Sequence, residues 1–190
     1  MKKPIITLFL TTAAVFFCLP DLGAQTITIN ASESSIHWLG RKVTGQHEGS
    51  INLLSGSLIM DNELLIGGDF VVDMNTISAK DLQGEDAEKL EESLKSDEWF
   101  GVAKHPQAKL VFTSVESQGE GLYKVIGNFK IKGKTNPIAF EFQVNALEAN
   151  AKVIIDRTLY NILDGSNSFF ESLKDKVIYD DFEIDVNLKF

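Results

Sequence analysis

Few side chains in this chain of 190 residues are spaced for chemistry. His37, His47 and His105 are the candidate metal ligands, because imidazole is the commonest ligand for zinc and copper. Their spacing matches no ligand motif: His37 alternates with Ile36 and Trp38 and should face solvent, and His105 precedes a turn at Pro106. Gly133-Lys134-Thr135 resembles the end of a phosphate-binding loop. That loop, however, places four residues between its glycines and joins a strand to a helix, whereas five residues separate Gly127 from Gly133 and both flanks alternate as strands do. Ser35, Ser50 and Ser57 lack the glycine-flanked elbow of an activated nucleophile. Asp69 with Asp73 is a conceivable acid–base pair, although a solvated pair on an outer face is the commoner arrangement. Glu85, Asp86, Glu88, Glu91 and Glu92 belong to the polar face of a helix. No catalytic residue, metal or cofactor is expected on these grounds, and the chain reads as a binding protein rather than an enzyme. Arg157 is harder to set aside. It continues the series Val153, Ile155, Arg157 and Leu159, so it should share their inward face, where a guanidinium is costly unless paired. A structural pairing with Asp156 or another carboxylate is favoured over contact with a ligand's polar head.

The elements that would position these residues are mostly strands. Lys2 and Lys3 precede an apolar run over residues 5–19 that ends at Pro20, the layout of a secretory leader cleaved after Gly23-Ala24. Cys18 lies within that run behind Phe16 and Phe17, a poor context for lipidation. The expected product, residues 25–190, is one domain without cysteine, periplasmic or secreted, that must be held by its apolar core alone. A net charge of −9 opposes nucleic-acid binding and docking on anionic headgroups, and no later run is long enough to span a membrane as a helix.

Period-two alternation is clearest over 123–131, 138–144 and 182–190, with Ile126 as the exception. It is weaker over 36–39, 50–60, 64–74, 108–115 and 153–159. Turn-forming Asp61-Asn62, Gly119-Glu120-Gly121 and the stretch 133–137 punctuate these runs. Eight or so antiparallel strands in succession predict an all-β sandwich or barrel. Residues 84–101 instead carry Ala87, Leu90 and Leu94 at helical spacing, which predicts a helix delivering Trp99 and Phe100 to the barrel mouth. A short second helix is expected around Phe169, Phe170 and Leu173. The inward faces are rich in aromatics, and an eight-stranded barrel has room either to be filled by them or to hold one small ligand. Periodicity leaves both open.

Several segments, in order along nearly the whole of residues 25–190, resemble the YceI-like family of exported, lipocalin-like polyisoprenoid-binding proteins. They are Ile36-His37-Trp38-Leu39-Gly40, His47-Glu48-Gly49, Gly68-Asp69-Phe70-Val71-Val72-Asp73-Met74, Asp97-Glu98-Trp99-Phe100, His105-Pro106, the run 125–133 and Ile155-Asp156-Arg157. The resemblance implies an eight-stranded antiparallel barrel with a helical insertion and an apolar cavity for an isoprenoid, an isoprenoid quinone or a fatty amphiphile, with no catalytic residues. Leu159 and Asn161 stand where the family often has aspartate and glycine, a departure from the family pattern at the polar mouth. The expected ligand contacts are Trp38, Phe70, Val72, Leu110, Phe112, Val125, Phe129, Phe140, Phe142, Phe182 and Ile184, with Trp99, Phe100 and Arg157 near the mouth. An enzyme acting on a small lipid, and an assembly module or homodimer using the outer face, remain as alternatives.

Overall fold

The computed structural model describes residues 23–166, 168 and 177–190. The leader up to residue 22 and the short helix expected around Phe169, Phe170 and Leu173 lie outside the described residues. The elements are β1 (Gln25–Thr28), β2 (Ser35–Lys42), β3 (Gly45–Asp61), β4 (Leu64–Ala79), α1 (Glu85–Lys95), β5 (Gln107–Gly119), β6 (Leu122–Ile131), β7 (Lys134–Val144), β8 (Glu148–Asp156), a 3-10 turn (Arg157–Tyr160) and β9 (Ile178–Lys189).

Every strand pairing is antiparallel, and β2 through β9 form a closed ring of eight in the order β3-β2-β9-β8-β7-β6-β5-β4, with β4 returning to β3. The ninth strand, β1, pairs with the far half of β3, from Gln25↔Met60 to Thr28↔Ser57. The strong alternation of β6 and β7 follows directly from one buried and one wet face: Tyr123, Val125, Phe140 and Phe142 are buried while Lys124, Ile126 and Glu141 are exposed. In β3 the alternation is weak because the register shifts between Leu53 and Ser55. The inward set changes there from Ile51 and Leu53 to Gly56 and Leu58, as an extra residue in one strand requires. At the β6–β7 hairpin, Lys132 and Gly133 have φ of 47° and 74°, the two left-handed residues of a tight turn rather than a phosphate cradle.

The two ends of the barrel differ. At the end carrying the β3–β4, β5–β6 and β7–β8 hairpins, Leu58, Leu65, Tyr123, Val125 and Ala149 pack tightly, and the Leu65 N–H donates to Tyr123 Oη at 3.2 Å. The other end carries the β2–β3 and β6–β7 hairpins, α1 and the 3-10 turn. The helix is shorter than the stretch 84–101 predicts: it stops at Lys95 because Ser96 is extended (ψ 165°). Gly101, at φ 57°, donates its N–H to Ser96 O at 2.7 Å, which closes a turn that directs Phe100 inward.

Near this end β7 and β8 are paired only from Phe142↔Ala151 to Val144↔Ala149, and the 3-10 turn packs against β7 beyond that point. Asp156 Oδ1 accepts from Thr158 N–H at 2.9 Å and Thr158 Oγ1 at 2.6 Å, which bends the chain out of the strand. The expected inward series therefore fails at Leu159, which is 54% exposed, while Tyr160 is fully buried against Phe129. Arg157 locks the bend. Its Nε, Nη1 and Nη2 donate to the carbonyls of Tyr179 (3.1 Å), Ile162 (2.9 Å) and Ile178 (3.1 Å), with Asp180 at 3.6 Å and the Trp99 ring centroid 5.2 Å from the guanidinium. Replacing Arg157 with Met leaves those carbonyls without a donor. The expected loss is about 3 kcal/mol in urea unfolding, whereas Leu159→Ala changes stability by no more than about 0.5 kcal/mol.

Candidate functional site: an apolar chamber in the barrel

Because side chains fill the barrel at only one end, a cavity of about 340 Å³ remains in the middle and at the opposite end. Its floor is a group of phenylalanines from β4, β5 and β7. Phe112 lies 5.4 Å from Phe70, 5.9 Å from Phe140 and 5.6 Å from Phe142 between ring centroids, the last two pairs edge to face. Phe100 from the turn after α1 meets Phe182 of β9 edge to face at 6.2 Å near the other end. Most of the remaining wall is aliphatic, so the body of the space accepts hydrocarbon and offers little to a polar solute.

Of the residues expected to touch a ligand, Trp38, Phe70, Val72, Trp99, Phe100, Leu110, Phe112, Phe129, Phe140, Phe142, Arg157, Phe182 and Ile184 line this chamber. Val125 does not: it is fully buried in the closed end, below the floor. Arg157 lines the wall with its donors turned to backbone carbonyls, which makes it a brace for the mouth.

A polar rim, not expected from an alternation that ends at Leu39, borders the chamber. Trp38, Gly40 and Lys42 succeed one another on the inner face of β2, and His47 precedes Ile51 and Leu53 on that of β3; all six line the chamber. Extending the alternation beyond Leu39 would have reached Lys42, and the odd-numbered series of β3 would have reached His47. Lys42 Nζ lies 3.2 Å from His47 Nε2, and His47 Nδ1 lies 2.8 Å from Asp81 Oδ2. Both contacts are met together when the imidazole is neutral with its proton on Nδ1, so that Nε2 accepts from the ammonium. Partial burial acts to raise the Asp81 pKa, but the bonds from His47 and the Glu48 N–H outweigh it and hold the carboxyl below its ordinary value.

Two further features shape this wall. Trp38 Nε1 is buried with no hydrogen-bond partner among the described residues. The indole can lie across β3 only because Gly49 is there, since a β-carbon at Gly49 would sit 2.5 Å from the ring and 1.9 Å from Ser78 O. A β-carbon at Gly40, by contrast, would meet nothing within 4 Å.

The groups considered for catalysis stand elsewhere. Asp69 bonds Ser57 Oγ at 2.7 Å and Asp73 bonds Asn75, neither lining the chamber. His37 is exposed, and among the described residues no group of three His, Cys, Asp or Glu is placed to hold a metal ion.

The model of the YceI-like domain matches residues 27–190. The chain belongs to the YceI-like family. It is 34% identical over 93 residues to a UPF0312 protein of Yersinia enterocolitica, covering 49% of this chain and 46% of that one. A UPF0312 protein of Shewanella denitrificans is 31% identical over 93 residues, 49% of this chain and 47% of that one. These alignments thus span about half the length of the curated relatives. Among solved structures, the YceI-like barrel superposes on BcnA of Burkholderia cenocepacia with a TM-score of 0.66 at 16% identity, covering 84% of this chain and 98% of the other. A polyisoprenoid binding domain from Saccharophagus degradans gives 0.60 at 17% identity, covering 88% and 97%. At such identities the likeness is one of fold.

The outer wall beside the rim is braced by charge. Glu183 of β9 is paired with Arg41 and with Lys152, the latter at 2.6 Å, and those two cations pull its pKa down from 4.5 to about 2. A depressed carboxylate contributes stability above its unfolded value and loses it as pH falls through the folded one. The stability difference between the YceI-like barrel and its Glu183→Gln variant should therefore be full at pH 6 and shrink as pH falls from 4.5 toward about 2, measured by urea unfolding across that range.

Proposed function

We propose that this YceI-like protein is an exported lipid-binding barrel that holds one long apolar chain, a polyisoprenoid, an isoprenoid quinone or a fatty amphiphile, and performs no chemistry on it. The observation that carries the reading is the apolar chamber, floored by phenylalanines and bordered at its far end by a polar rim. Burying a hydrocarbon there returns roughly 0.8 kcal/mol per CH₂ without directional contacts, so such a site selects for chain length and shape. Further support comes from the Saccharophagus degradans neighbour, whose own description is a polyisoprenoid binding domain. The leader-like N-terminus supports a periplasmic or secreted location for a single domain over residues 25–190. No helix among the described residues is long and apolar enough to cross a membrane. The absence of assigned chemistry follows from where the candidate nucleophiles and acids stand, on the outer face and in turns.

Gly40 provides the test, because a side chain there enters open space on the chamber wall. Phe at this position should fold normally and obstruct the lumen. Organic extraction and mass spectrometry of the purified protein should recover a long-chain lipid from the natural sequence and little from Gly40→Phe. No lipid from either protein, or equal amounts from both, would contradict the proposal.

A further inference from the structure

Among the described residues, the rim holds one cation that the barrel's own charges do not use. Arg41 is occupied by Glu183 on the outer wall, and Arg157 is bound to three carbonyls with Asp180 at 3.6 Å. Asp164, the one carboxylate lining the chamber among the described residues, accepts from Trp99 Nε1 at 3.1 Å on the Arg157 side. Lys42 differs. Among the described residues its ammonium meets no carboxylate, only the ring nitrogen of His47. Asp81, which takes the other end of that imidazole, is not part of the chamber wall. The three residues join the end of β2, the start of β3 and the link from β4 to α1 into a chain whose cationic end faces the chamber and whose anionic end lies outside it.

We infer that Lys42, positioned by His47 and Asp81, is a head-group site for an acidic amphiphile: its chain lies in the chamber and a carboxylate or phosphate oxygen pairs with the ammonium. The inference deepens the lipid-binding proposal and rests on it. The spacing suits such a ligand. Inward residues two apart on a strand are separated by about 7 Å, so a chain packed on Trp38 passes bare Gly40 and brings its head to Lys42. A cation at a half-buried rim, already held at 3.2 Å by an imidazole nitrogen, is pre-oriented for a charge-assisted bond. Among the described residues three cations line the chamber, and of these Arg41 and Arg157 each have a carboxylate within 4.0 Å whereas Lys42 has none.

The test is a set of matched titrations on the full-length protein, stripped of lipid, followed by the fluorescence of Trp38 and Trp99, both of which line the chamber. Palmitate is compared with hexadecanol, and farnesyl phosphate with farnesol, for the natural sequence and for Lys42→Met and Lys42→Arg. The acid should bind about tenfold more tightly than its own alcohol in one pair or both, which also tells carboxylate from phosphate. Lys42→Met should abolish that preference by weakening the acid far more than its alcohol, and Lys42→Arg should keep it. Equal binding of acid and alcohol by the natural sequence, or an equal loss of both in Lys42→Met, overturns the head-group site but leaves the chamber as a lipid pocket. Binding of none of the four ligands overturns the lipid-binding reading and the site together.

Discussion

Closure of the sheet between β3 and β4 is the constraint on which the rest of this structure depends. Eight strands closed on themselves leave an interior that the inward residues of alternate positions either fill or enclose. Here the interior is filled at one end by Leu58, Leu65, Tyr123 and Val125 and enclosed at the other, above the cluster around Phe112. Closure still leaves open edges along β1, along the part of β7 that faces the 3-10 turn, and along β4 and β5 beyond Asp69↔Val111.

That second edge explains the most conspicuous buried charge. Where β8 turns away from β7, backbone carbonyls of Ile162, Ile178 and Tyr179 converge at the mouth, and a strand cannot satisfy them there. Arg157 does so with its rigid fork of donors, and the Trp99 ring covers it. The cost of burying the guanidinium is met by fixed hydrogen bonds and by Asp180, so the mouth is held by a local polar knot while the chamber below it stays apolar. Lys42 sits at the same end under opposite circumstances, held by a single ring nitrogen and facing the chamber. Among the described residues, one rim thus carries a cation tied to carbonyls and a carboxylate and another that meets no carboxylate.

Much of the fold was legible in the residues because burial of one sheet face imposes period two, and β6, β7 and β9 obey it almost without interruption. The pattern faded in β3 because the register shift at Leu53 and Ser55 exchanges the inward and outward sets, a non-local event with no mark in local composition. Leu159 was misread for a related reason. Its strand period is ended by hydrogen bonds from Thr158 to Asp156, residues that look ordinary in an alternating series. The overlong helix has the same origin in backbone geometry at Ser96. Aromatic wall residues could be named from alternation, but whether they meet one another or surround a space depends on the whole closed ring. His47 shows the limit from the other side: a lone histidine reads as surface, and only the approach of Lys42 and Asp81 gives it a partner on each nitrogen.

The claim that most needs direct observation is that the barrel interior is a chamber for a chain rather than a solid core. A crystal structure of the protein grown with farnesol would show it. The account predicts continuous elongated density running from the phenylalanine floor at Phe70 and Phe112, past Trp38 and Gly40, toward Lys42. Side chains collapsed across that space, with no density between them, would contradict it.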